Sequence, residues 1–189
     1  MTGTETLPYR SLAFNNAWAN HRLLAACARL QQAEWTAPRT GFFPSLRATL
    51  NHVLVVDLFY VDAMEGGALG PAAFADPEPC ADVAALRAAQ SEVDRRLIAV
   101  VEALDGAAGL SRVVAVHRGD RVQRERMDRL LLHLFQHDIH HRGQAHAMLS
   151  GTSAAPPPQL DEFFSAGEAP LRAGDFAALG FTEERVWGE

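Results

Sequence analysis

One stretch, from His133 to His146, constrains this chain more than any other. It reads His-Leu-Phe-Gln-His-Asp-Ile-His-His-Arg-Gly-Gln-Ala-His, and half of the chain's 8 histidines fall within its first nine residues. Successive residues of an α-helix turn by roughly 100°, so His137 and His141 share one face, with Gln144 a turn further along it. At +3/+4 spacing that face runs Met127, Leu130, Leu134, His137, His141, Gln144, Met148. It is an apolar helical seam whose middle turns carry imidazoles and an amide. Polar groups in a core cost free energy unless something satisfies them. A divalent transition metal satisfies several neutral imidazoles at once.

The rest of the chain supplies helices to pack against that seam. Thr6-Leu7-Pro8 reads as a helix start, with Pro8 in a first turn where its missing N–H costs nothing. Leu12, Asn16, Asn20, Leu23, Cys27 and Leu30 extend helix one over about residues 7–33. Its two asparagines point either to a polar pocket or to bonds with neighbouring backbone. Ser45 is an N-cap for helix two, whose seam is Thr49, His52, Val56, Phe59, Ala63 and which stops at Gly66-Gly67. The Gly- and Pro-rich stretch from Gly66 to Pro79 is long for a simple helical hairpin and implies a crossover. Helix three follows on Leu86, Gln90, Val93, Leu97, Val100 and Leu104, with Arg87, Glu92, Asp94 and Arg95 as exposed charges.

Val113-Val114-Ala115-Val116, then His117-Arg118-Gly119-Asp120, reads as a short β-hairpin or extended loop with His117 on its surface. Arg118, Arg121, Arg124 and Arg126, interleaved with Asp120 and Glu125, read as a solvated loop. Helix four then runs from about Glu125 to Ser150, with Gly151 as its C′ residue. Pro156-Pro157-Pro158 cannot continue it. The tail from Gln159 carries Leu160, Phe163, Phe164, Phe176, Leu179, Phe181 and Trp187, which is too aromatic for disorder. It is expected to pack on the helices, over a pocket mouth or on a second subunit. The fold class is therefore all-α: a four-helix bundle with a long crossover connection, a short hairpin-like insertion before helix four and an ordered C-terminal extension from about residue 152. All of it is expected to form one domain, residues 1–189.

Composition narrows the function. The formal net charge is −6 and the basic residues form no long run, which argues against nucleic acid as a partner. Cys27 and Cys80 are too far apart for a Cys-x-x-Cys pair. Asp57 interrupts even the apolar run from Val53 to Val61, so no segment is expected to span a membrane. Met1 to Glu5 shows no basic or apolar leader. The expectation is a soluble, cytoplasmic protein.

His52 stands where the helix-two seam calls for an apolar residue. Taken alone, it reads as a satisfied core histidine. Beside His137 and His141 it completes a set of three imidazoles, which would leave a coordination position open, unlike a closed structural zinc site. A buried, hydrogen-bonded histidine cluster is the competing reading. Asp57, five residues after His52, lies on a different face and reads as a surface or interface acid.

His137-Asp138-Ile139-His140-His141-Arg142-Gly143-Gln144, together with the single inward histidine of helix two, closely resembles the DinB family of bacterial four-helix-bundle proteins. The resemblance extends to Asn16-Ala17-Trp18-Ala19-Asn20, Thr49-Leu50-Asn51-His52, Val56-Asp57-Leu58-Phe59-Tyr60, the region around Arg118-Gly119-Asp120, and Gln159-Leu160-Asp161-Glu162-Phe163-Phe164. His141-Arg142-Gly143-Gln144 with the preceding His140 is its most specific part. Asp138 departs from the amide often found at that position.

The resemblance implies one divalent metal on His52, His137 and His141. Zinc or nickel leads; iron and manganese are compatible. His133 is the rival ligand, His140 a pocket-wall residue, and Gln144 and Asn51 are candidates to orient the ligands. Gly143 is explained equally by close helix packing or by a pocket. The resemblance also implies a homodimer acting on a small-molecule substrate. The leading activity is transfer of a low-molecular-weight thiol, or activated water, to a small electrophile. A metal-dependent hydrolase is one alternative, and a non-catalytic metal-binding, stress-related or dimerisation protein is another.

Overall fold

In the computed structural model, which describes residues 4–188, Pro8 sits in the first turn of α1 (Leu7–Cys27). Met1 to Gly3, part of the leader reading, lie outside the described residues. Helix α1 stops short of the expected Ala33. Gln31 and Glu34 form a reciprocal capping box that starts a separate short helix, α2 (Gln32–Thr36), and buries Trp35. Ser45 caps α3 (Leu46–Glu65) by accepting the Ala48 N–H on its Oγ at 3.1 Å. Gly66, at φ +89°, closes that helix in the left-handed conformation only glycine adopts cheaply.

The connection to α4 (Val83–Glu102) contains one 3-10 turn, Gly70–Phe74. Asn51 meets Cys80 just ahead of α4, Asp57 meets Gln90, and Glu65 meets Arg96. Helices α3 and α4 therefore run parallel, and the chain between them returns along their length. A short helix the sequence did not signal, α5 (Gly106–Ser111), leads into β1 (Val113–His117) and β2 (Val122–Arg126). The two strands are antiparallel, with His117 opposite Val122 and Val113 opposite Arg126. That pairing delays α6 (Met127–Leu149) past Glu125, where sequence periodicity places its start. Gly151 does not take a positive φ. Its N–H turns back onto the Met148 carbonyl instead.

The chain is mostly helical, with a single two-stranded sheet among the described residues. Helix α1 packs on α4 and α6, and α3 packs on the same two. The antiparallel sense of α3 and α6 is visible in contacts of Thr49 with Met148 and of Tyr60 with His133. The tail forms α7 (Ala169–Leu179) and α8 (Glu183–Trp187). It packs on α1: Phe163 meets Trp18 at 5.5 Å between rings, and Phe181 meets Phe14 at 4.8 Å. Arg22 ties it down through Asp175 and Glu162. Among the described residues no helix is long and apolar enough to cross a membrane.

Candidate metal centre

The centre is built by two antiparallel helices. Helix α6 places His137 and His141 one turn apart, and α3 brings His52 across to meet them. One ring nitrogen from each of the three lies within 4.8 Å of the other two. His52 Nε2 and His137 Nε2 are 3.0 Å apart. The remaining nitrogens of the α6 pair are occupied by acceptors: His137 Nδ1 by Asp138 Oδ1 at 3.1 Å, and His141 Nδ1 by Gln144 Oε1 at 3.0 Å. A hydrogen bond at Nδ1 leaves the Nε2 lone pair free, which is how metal-binding imidazoles are held in the required tautomer. The donor set fits a divalent transition ion.

Burial pushes the His52 and His137 imidazoles down to about 4, helped for His52 by the charges of His137 and His141. Burial also lowers His141, against the hydrogen bond to Gln144. Neutral imidazole is the form that binds a metal, so the site is in its binding-competent state at neutral pH.

The triad opens onto a cavity of about 440 Å³ whose other walls include Phe42, Phe59, Tyr60 and Phe74. Phe43 lies on the His52 ring, centroids 4.3 Å apart. His133 stands against Tyr60 on the cavity wall, outside the triad. His140 lines the cavity too and accepts from Gln144 Nε2 at 3.0 Å. Gln144 thus links His140 and His141. Asn51 does not reach the site. Its amide accepts from the Cys80 N–H and donates to the Cys80 and Arg47 carbonyls, which anchors the returning connection to α3. Gly143 has open space around a hypothetical Cβ, so close helix packing does not explain it.

Behind His137 lies a buried polar belt that sequence reading largely missed. Asp57 is 1% exposed, not a surface acid. The face of α3 turned away from the triad is covered by α4, so pointing away from the site is not pointing to water. Gln90 Nε2 donates to Asp57 Oδ2 at 2.6 Å and to Asp94 Oδ1 at 3.2 Å. Asp94, expected among the exposed charges of helix three, accepts from Asn16 and Asn20. Arg142 donates back to the oxygens of both asparagines. Asn16 and Asn20 therefore do mark a polar pocket. Asp57 and Asp138 are both buried, and their carboxyl groups interact with each other. Burial raises Asp57 well above the usual carboxylate range and Asp94 and Asp138 to about 7, with Arg142 opposing the rise in each.

Arg118 is a further residue that sequence reading placed in solvent. Its side chain folds back from the hairpin onto Tyr60 and lines the cavity. No local sequence signal marks this, because the platform it rests on belongs to α3. His117, beside it, is half-buried.

A sequence model of the DinB family matches residues 3–167. No curated protein matches the chain.

Proposed function

This chain belongs to the DinB family, and on that premise we propose that it is a metal-dependent enzyme holding one divalent transition metal on His52, His137 and His141. We read the arrangement of α1, α3, α4 and α6 as the family's four-helix bundle. The observation that carries the proposal is the convergence of three neutral ring nitrogens within 4.8 Å, two of them backed by acceptors on the opposite nitrogen. When bound, a metal with protein ligands in three positions supplies a Lewis acid that lowers the pKa of a coordinated thiol or water toward neutrality.

The chain's own groups do the rest. Asp138 and Gln144 hold the His137 and His141 rings in register. Phe43 covers His52, and Phe42, Phe59 and Phe74 give the cavity apolar walls. A cavity of about 440 Å³ beside the triad favours a small-molecule substrate over a purely structural ion. The proposed reaction is transfer of a low-molecular-weight thiol to a small electrophile, with zinc or nickel as the metal. A cytoplasmic homodimer is the proposed setting.

Elemental analysis of protein prepared without a histidine tag tests the metal. One zinc or nickel per chain is expected, falling to background in His137→Ala. Thiol consumption that needs both the bound metal and an electrophile such as a halo-arene supports transfer. Turnover of an ester without thiol moves the reading to a hydrolase. Metal-dependent stability with no turnover of either moves it to a non-catalytic metal-binding protein.

A further inference from the structure

The cavity beside the histidine triad has a second chemical pole. Its lining holds imidazoles, apolar and aromatic side chains and one guanidinium, Arg118, and it holds no carboxylate. Arg118 enters from the turn between β1 and β2, where its backbone N–H donates to the Arg121 carbonyl at 2.8 Å. Gly119 takes φ +89° there, a conformation that favours glycine. Gly70, in the 3-10 turn after α3, sits against His117, where a Cβ would come within 3.0 Å of the His117 carbonyl oxygen. The hairpin end is thus braced against the body of the protein.

The guanidinium is held in place by neutral groups. Nη2 donates to Tyr60 Oη at 3.0 Å and Nε to Gln123 Oε1 at 3.2 Å. Its central carbon lies 4.9 Å from the Phe59 ring centre and 5.6 Å from that of Tyr60. Among the described residues no carboxylate pairs with it, whereas Arg22, Arg47, Arg96, Arg126 and Arg172 all have one. A guanidinium carries five N–H donors, so most of its donors remain for a ligand. Arg118, His133 and the three histidines of the triad line the same cavity, which puts the cation and the triad in one chamber.

We infer that Arg118 is the anion-recognition residue of this site, and that the substrate is a small organic acid. Its carboxylate pairs with Arg118, its apolar or aromatic body lies among Phe42, Phe59 and Phe74, and its reactive end faces the triad. A planar guanidinium on an aromatic platform suits a carboxylate because the two can form paired N–H···O bonds. The inference rests on the metal-enzyme reading for the reaction, but not for the binding.

Calorimetric titration with 3-phenylpropionate and with its uncharged amide, 3-phenylpropionamide, tests it. Zinc-loaded wild type is expected to bind the acid at least about tenfold more tightly than the amide, as a charge-assisted pair in a partly dry site provides. Arg118→Gln should reduce that preference to about twofold or less, and Arg118→Lys should retain an intermediate one. Unchanged zinc content and melting temperature in Arg118→Gln show that the fold and triad are intact. The same titrations on metal-free protein separate the two readings. An acid preference that depends on Arg118 without zinc supports the anion role even if the chain proves to hold no metal. Equal affinity for acid and amide, binding of neither, or a preference that survives Arg118→Gln overturns it.

Discussion

Asp138 Oδ1 lies 3.1 Å from Nδ1 of His137, while Nε2 of the same ring faces His52 at 3.0 Å. Consecutive residues of one helix rarely face each other, and here the pair couples the triad to the buried belt behind it. An amide at position 138 would keep the acceptor and lose the charge. Asp138→Asn is therefore expected to bind zinc as wild type does, and Asp138→Ala to bind it about 10–100-fold more weakly, the usual effect of losing a ligand's outer partner. Competition against a chromophoric chelator reads both. Wild-type affinity in the alanine variant would remove Asp138 from the site.

The triad should be a thermodynamic link between two helices. Zinc at about one hundred times its Kd is expected to stabilise wild type by about 2.7 kcal/mol, the mass-action value for one site. His52→Ala, His137→Ala and His141→Ala should each lose most of that gain. Thermal melts with and without zinc check this. A gain that survives any of the three substitutions would place the ion elsewhere.

In metal-free protein, two groups of residues should drive stability in opposite directions with pH. His52 and His137 have folded values of about 4 against an ordinary 6.5. Their contribution is complete above 6.5 and is lost as pH falls toward 4. Asp94 is raised from 3.8 to about 7, so its contribution is complete below 3.8 and is lost as pH rises through 7. Asp94→Asn should therefore make stability rise more steeply with pH between 4 and 6.5. His52→Gln should tilt the curve the other way. Urea melts across this range test the pair, and two curves parallel to wild type would reject the assignment.

Arg142 is 4% exposed and is the guanidinium that opposes the pKa rise of Asp57, Asp94 and Asp138. Arg142→Met leaves those acids and two asparagine oxygens without their cation. The expected loss is about 3–5 kcal/mol, as when one partner of a buried ionic group is removed. Urea denaturation near neutral pH measures it, and a change within about 0.5 kcal/mol, typical of surface sites, would contradict the role.

The family match ends at residue 167, ahead of α7 and α8. Phe176 of α7 is nonetheless 4% exposed and packs against Phe163 and Phe181. Phe176→Ala is expected to cost about 3–5 kcal/mol, the range for truncating a core phenylalanine. A much smaller cost would show that the tail is an accessory and not part of the core.

Much of the architecture was legible because the signals were local. Pro8, Ser45 and Gly66 mark helix ends through their own backbone and side-chain chemistry, whatever surrounds them. Where local signals competed, reading failed. Gln31 and Glu34 start a new helix inside a pattern that looked continuous, and strand pairing takes Glu125 and Arg126 away from α6. Asp57 and Asp94 were placed in solvent because a charged residue off the apolar seam normally is. For α3 and α4 that rule fails, since each has two neighbours and more than one covered face.

By itself, then, the sequence determined that imidazoles at 137 and 141 share one helical face and that a polar cluster interrupts an apolar seam. Those facts follow from helix geometry, which every residue carries with it. Only the tertiary structure decided that His52 crosses from α3 to meet them, that Asn51 serves a neighbouring connection instead, and that Arg118 leaves its charged loop to lie over Tyr60. Each of these depends on which faces of separate elements come together, and the packing of distant surfaces is not encoded in the spacing of residues along any one of them.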